Sequence, residues 1–185
     1  MKLILASSSP RRKEILEKYG YIFDIISREI DETMNLSQPA EVNVRKIALK
    51  KCEIVSTDYP EDIVLSCDTI VVLENDIFGK PKTREEAIET LTKLSGVTHE
   101  VLSGVCIKCG NTTSNFVDRC QVTFKKLSSE DIINYVDSGE PFGKAGAYAI
   151  QGDGFKLVDH YEGDINTIIG LPILKIMPLI DSLLK

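Results

Sequence analysis

Leu3-Ile4-Leu5-Ala6-Ser7-Ser8-Ser9-Pro10-Arg11-Arg12 stands near the start of the chain and decides how the rest is read. Three aliphatic residues predict a strand, and three hydroxyls follow. Pro10 then suits the first helical turn, where its missing N–H costs nothing, and Ser9 suits the N-cap before it. Strand, polar turn and helix start, in that order, gather anions, because the first N–H groups of a helix lack partners and its dipole favours negative charge there. Arg11 and Arg12 stand in that first turn against the dipole, an arrangement that fits an anion expected there. The same residues also read as a capped surface helix with two solvated arginines. The stretch alone leaves both readings open.

The chain has 185 residues, enough for one domain with a sizeable core, with room for two lobes. No apolar run approaches the roughly 20 residues that span a bilayer, and the run at Leu3–Ala6 is too short for a signal peptide. Five cysteines, an odd number without a repeating framework, fit reduced thiols and a cytoplasmic protein. The net charge of −6 argues against a general nucleic-acid binder, so any anionic substrate must be met by particular cations.

Working outward, the pattern predicts a helix over 10–19 ended by Gly20, a strand over 22–26, and an irregular polar stretch over 27–38. A helix over 39–56 and a β-branched strand over 63–73 follow. Thr83-Arg84-Glu85-Glu86 has the form of a capping box for a helix ending at Ser95-Gly96. Strands over 99–108 and 114–124 form a hairpin around Gly110-Asn111, and Ser128 or Ser129 caps a helix ending at Ser138-Gly139. A short strand over 155–159 and a last helix from Pro172, kinked or interrupted at Pro178, complete the chain. Alternating strands and helices make this an α/β protein with a mixed sheet.

Four further constellations bear on chemistry. Asp68 in Ser66-Cys67-Asp68-Thr69 interrupts an apolar strand run, which is costly for a carboxylate without partners. It marks either a strand edge or bend, or a general base held partly away from water. Lys51 falls on the apolar stripe of Val44, Ile47, Ala48 and Val55, and its amine either snorkels outward or aims at phosphates. Phe78-Gly79-Lys80-Pro81 fixes the backbone around one cation. Gly143-Lys144-Ala145-Gly146-Ala147-Tyr148-Ala149-Ile150-Gln151-Gly152 permits close backbone approach but lacks the Walker A spacing. Cys106 and Cys109 resemble half a zinc site without a second pair, and read as structural. His99 and His160 belong to no recognisable triad.

Ser7-x-Ser9-x-Arg11-Arg12, Lys51, Ser66–Thr69, Gly79–Pro81, residues 143–152 and Ile169-Gly170-Leu171-Pro172 resemble, in order and over essentially the whole chain, the motifs of the Maf family of nucleoside triphosphate pyrophosphatases. The resemblance implies a Maf/ITPase-like fold: a mixed twisted sheet flanked by helices, with two lobes around a cleft, in a single domain over 1–185. It implies hydrolysis of a nucleoside triphosphate to the monophosphate and pyrophosphate. Asp68 would be the proton acceptor and Ser7, Ser9, Arg11, Arg12, Lys51 and Lys80 the substrate contacts. Glu32 would contact substrate or, with Asp68, hold Mg²⁺ or Mn²⁺. Thr69 and Gln151 resemble the branch acting on dTTP and UTP, with modified pyrimidine nucleotides also in range. The 7-methyl-GTP branch typically differs at the threonine and carries glutamate for the glutamine.

Ala149 for a usual glycine, Cys67 for a usual alanine, Asp164-Ile165 for Ser-Tyr, and no tryptophan before the glycine-rich loop depart mildly from the family pattern. Alternatives are a 7-methyl-GTP pyrophosphatase and a non-catalytic nucleotide sensor regulating cell division and septum formation. The implied partner is the nucleotide, with no nucleic acid or membrane, and a homodimer among the allowed states.

Overall fold

A computed structural model describes residues 1–184. In chain order the elements are β1 (Leu3–Leu5), α1 (Pro10–Lys18), β2 (Asp24–Ile25), α2 (Ala40–Ser56), β3 (Ile63–Leu73), β4 (Asp76–Phe78), α3 (Arg84–Leu94), β5 (Thr98–Cys109), β6 (Thr112–Phe124), α4 (Ser129–Asp137), β7 (Val158–Glu162), α5 (Ile165–Ile169) and α6 (Ile173–Leu183). Turns of 3₁₀ helix occupy Ala145–Ala147 and Asp153–Leu157. The strands form one seven-stranded sheet in the order β2-β1-β3-β5-β6-β7, with β4 paired to β3. β1 runs parallel to β2 and β3, whereas β4 and β7 are antiparallel to β3 and β6, so the sheet is mixed. The expected α/β class with helices around a mixed sheet is the observed one.

The chain divides into two compact units. The first comprises residues 1–68, 103–118 and 170–185. Its core packs α2 on the sheet through Ile4, Ala6, Ala48, Cys52, Val55, Val64 and Cys106. Gly104 lets helix and strand meet: a Cβ there would lie 2.5 Å from the Val44 carbonyl oxygen. The second unit comprises residues 69–102 and 119–169. In it α3 packs on α4 and on the Ala145–Ala147 turn. Phe124, His99 and Tyr148 stack edge to face, with centroids 4.8–5.5 Å apart.

Several local readings needed revision. The strand expected over 155–159 begins at Val158, because 153–157 turns as a 3₁₀ helix held by Glu140. β4 and α5, three and five residues long, are too short to show a period in the sequence. Glu86 accepts from the Lys82 N–H (2.7 Å) rather than from Thr83, so only the Thr83 half of that capping box forms. α6 continues through Pro178 without interruption. The carbonyl that Pro178 leaves without a helical partner belongs to Leu174, a residue on the exposed side of the helix.

Candidate active site

The first unit holds most of the polar residues singled out above. Ser9 occupies the N-cap of α1 with Pro10 at N1, but its hydroxyl caps no helical N–H. Arg12, one turn in, is buried rather than solvated. Its Nε donates to the Gly170 carbonyl (2.9 Å) and Nη1 donates to Ser7 Oγ (2.9 Å). Two bonds in fixed directions set the plane of the guanidinium. Ser7 Oγ also accepts from the Ser9 N–H (3.3 Å), so hydroxyl turn and arginine form one assembly. The capped surface helix with two solvated arginines is thereby set aside at Arg12. Arg11, its neighbour, is only half-buried. The part played by Gly170 was invisible in sequence: its motif could be matched, but a carbonyl accepting from a residue 158 positions away leaves no local trace.

Lys51 is the second focus. α2 is pinned to β3 on either side of it, since Ser66 Oγ donates to the Ala48 carbonyl (2.6 Å) and Cys52 Sγ donates to that of Val64 (3.2 Å). With the helix fixed, the Lys51 ammonium donates to Asp68 Oδ1 (2.7 Å) and pairs with Glu32 Oε1 (2.9 Å). The Lys51 and Asp68 side chains are 15% and 12% exposed, while that of Glu32 is half exposed. Lys51 therefore does not snorkel outward. Asp68, in the middle of the apolar strand, has the partner that a buried carboxylate requires.

Glu32 reaches this group from a loop that is ordered at both ends. Asp31 Oδ1 accepts from the Thr33 N–H (2.9 Å), and bonds from the Thr33 hydroxyl and backbone hold the Asp31 carboxyl below its ordinary range. The buried Asn43 side chain on α2 accepts from the Asn35 N–H (2.8 Å) and donates to the carbonyls of Asn35 and Gln38. The sequence left 27–38 irregular, and Asn43 supplies the order.

Thr69, Lys80 and Gln151 belong to the second unit. Thr69 continues β3 directly after Asp68. Lys80 and Gln151 are exposed, and among the described residues neither side chain makes a hydrogen bond or ion pair. Their backbones are nonetheless fixed. The Gly79 carbonyl accepts from the Gly146 N–H (3.1 Å), joining the Gly-Lys-Pro turn to the glycine-rich loop. Gly146 and Ala147 both have positive φ (67° and 59°), and a Cβ on Gly146 would lie 2.6 Å from Val71 Cγ2, so glycine is required there. Cys106 and Cys109 are free thiols, and no cluster of three His, Cys, Asp or Glu side chains suited to a metal occurs among the described residues.

The profile of the Maf-like protein family matches residues 2–183. The chain belongs to this family. Relatives named dTTP/UTP pyrophosphatase, from Bacillus anthracis and from Bacillus cereus strain AH820, are each 47% identical over 95% of this chain and 92% of their own length. Among solved structures, the Staphylococcus aureus Ham1 protein aligns over 67% of this Maf-like chain and 72% of its own, at 14% identity and a TM-score of 0.45. No described helix of the Maf-like chain is long and apolar enough to cross a membrane.

Proposed function

We propose that this protein is a cytoplasmic nucleoside triphosphate pyrophosphatase that hydrolyses dTTP and UTP to the monophosphate and pyrophosphate. The observation that carries the reading is the Lys51 ammonium held between Asp68 and Glu32, at 2.7 and 2.9 Å, in the same unit as the fixed Arg12–Ser7 assembly. A largely buried carboxylate and ammonium of this kind, set on a strand and a helix, suit a polyanion whose charge shifts during reaction.

In this reading Ser9, Arg12, Lys51 and Lys80 bind triphosphate oxygens, with Ser7 and Arg11 supporting them. The triphosphate offers the Lys51 ammonium a second set of acceptors, and Asp68 is then released to take a proton from water. The water oxygen attacks phosphorus as the anhydride bond between the α- and β-phosphates breaks. Pyrophosphate leaves, and the nucleoside monophosphate keeps the new oxygen.

The donor set suits Mg²⁺ or Mn²⁺. The Glu32 and Asp68 oxygens already converge on one positive charge, and Mg²⁺ sites commonly combine one or two carboxylates with substrate phosphates and water. Glu32 and Asp68 would hold the ion, which when bound neutralises charge developing on the phosphates. Thr69, adjacent to Asp68, and Gln151 are the proposed determinants of the base. The Gln151 amide both donates and accepts, as a pyrimidine edge requires, whereas an ionised glutamate only accepts.

The test is pyrophosphate release over a panel of dTTP, UTP, CTP, GTP and 7-methyl-GTP with Mg²⁺ or Mn²⁺. Turnover led by dTTP and UTP is the expected result. Preference for 7-methyl-GTP would move the protein to the other branch, and no turnover of any nucleotide would leave a binding protein.

A further inference from the structure

Gln151 projects from a loop that a different residue holds in place. Glu140, between α4 and the glycine-rich loop, turns its carboxylate toward the far end of that loop. Its Oε2 accepts from the Asp153 N–H (3.0 Å), and its Oε1 accepts from the Gly154 N–H (3.0 Å). The same Oε1 accepts from the Tyr135 hydroxyl (2.9 Å), and the Tyr135 oxygen in turn accepts from the Ala149 N–H (3.1 Å). The chain is therefore tied two residues before Gln151 and again two and three residues after it. Both ties run to one carboxylate–phenol pair.

The fit is close. A Cβ on Gly152 would lie 2.5 Å from Glu140 Oε2, and one on Gly154 would lie 2.7 Å from the Tyr135 oxygen and 2.5 Å from the Ala149 carbonyl. The two glycines that follow Gln151 thus have a stated reason, which is the carboxylate and phenol they wrap. Burial pushes the Tyr135 phenol above its ordinary value, so it keeps the proton it donates. Hydrogen bonds from two backbone N–H groups and a phenol, all to one carboxylate, are charge-assisted and therefore among the stronger kind.

We propose that Glu140, acting with Tyr135, is the positioning residue for Gln151 and so sets nucleobase selection without touching the nucleotide. The proposal rests on the reading of Gln151 as the base-contacting residue. Glu140→Ala removes the acceptor of three donors, while Glu140→Gln keeps an oxygen for Tyr135 and Gly154 and loses only the acceptor facing Asp153. Tyr135→Phe cuts the Ala149 tie and leaves the Glu140 tie to Asp153 and Gly154 intact.

Two measurements on the full-length protein test it. The first is amide hydrogen exchange over 149–154. Glu140→Ala should lose protection there, with β3 and α2 unchanged, and Tyr135→Phe should lose it at Ala149. Wild-type protection throughout 149–154 in both variants would overturn the positioning. The second is a double-mutant cycle on kcat/KM for UTP, with the variants Glu140→Ala, Gln151→Ala and their combination.

Glu140→Ala should lower kcat/KM roughly tenfold in the wild-type background. It should have little further effect once Gln151 is alanine, and Glu140→Gln should recover most of the loss. Multiplying effects would overturn the link to Gln151. If Glu140→Ala does not fold, Tyr135→Phe enters the same cycle with the same criteria. Absence of UTP turnover in the wild type would count against the proposed function, and the exchange measurement would still decide whether Glu140 sets the loop.

Discussion

Arg12, Lys51 and Asp68 of the first unit are largely buried and paired, whereas Lys80 and Gln151 of the second are exposed and, among the described residues, hold no side-chain partner. Arg12 and Lys51 sit on helices and Asp68 on a strand, each with bonds of 2.7–2.9 Å that fix its direction. Lys80 and Gln151 sit on loops whose backbones are fixed while their side chains reach into solvent. In the proposed function, the contrast between Asp68 and Gln151 matches two tasks. Chemistry on a phosphate needs charges that do not reorganise, and rigid elements supply them. Choosing among bases needs contacts that vary from one relative to another, and loops tolerate that variation.

The largest effect is expected at Asp68. Asp68→Asn keeps the shape but removes the proposed proton acceptor, so kcat should fall about 10²- to 10⁴-fold while nucleotide binding persists. Steady-state kinetics beside a binding titration measures both, and a kcat near wild type would remove Asp68 from the base role.

Arg12 and Lys80 sharpen the contrast, because both are proposed phosphate ligands and only one is built into the structure. Arg12→Ala strands the Gly170 carbonyl and Ser7, and should cost about 1–3 kcal/mol of stability along with activity. Lys80→Ala should lower kcat/KM roughly ten- to a hundredfold and leave the urea midpoint unchanged. Equal losses of stability in the two variants would break the distinction.

A smaller effect concerns the buried base beneath the Gln151 loop. His99 meets the Tyr148 hydroxyl through Nε2 (3.0 Å), and burial lowers its pKa from 6.5 to about 4. The imidazole is neutral in the native state, so the unfolded chain binds the extra proton between those values. Stability therefore falls as pH drops from about 6.5 toward 4, by about 2 kcal/mol at pH 5 relative to pH 7. Denaturant unfolding at the two pH values measures this, and His99→Gln should show a correspondingly weaker dependence. An identical dependence in the variant would place the acid sensitivity elsewhere.

The sequence announced the elements well where signals were local. β3 coincides with the strand read from β-branched residues, and the Ser128 cap forms a full capping box with Asp131. Lys51 was legible as a cation on an apolar stripe, because helical periodicity alone places it there. What it meets was not legible: Asp68 is 17 residues away on a strand and Glu32 lies on a loop without periodicity. Glu140 escaped for the same reason, since its partners are backbone N–H groups 13 and 14 residues on. Side chains that bond to distant backbone leave no spacing to read.

The proposed division of labour between Asp68 and Gln151 is tested most directly by the ratio of kcat/KM for UTP to that for 7-methyl-GTP, measured in wild type, Asp68→Asn and Gln151→Glu. Asp68→Asn should depress both substrates and leave the ratio unchanged. Gln151→Glu should lower the ratio roughly ten- to a hundredfold, since an acceptor would then face the carbonyl oxygens of the bound pyrimidine. A ratio that moves with Asp68→Asn, or one that stays fixed with Gln151→Glu, would contradict the account.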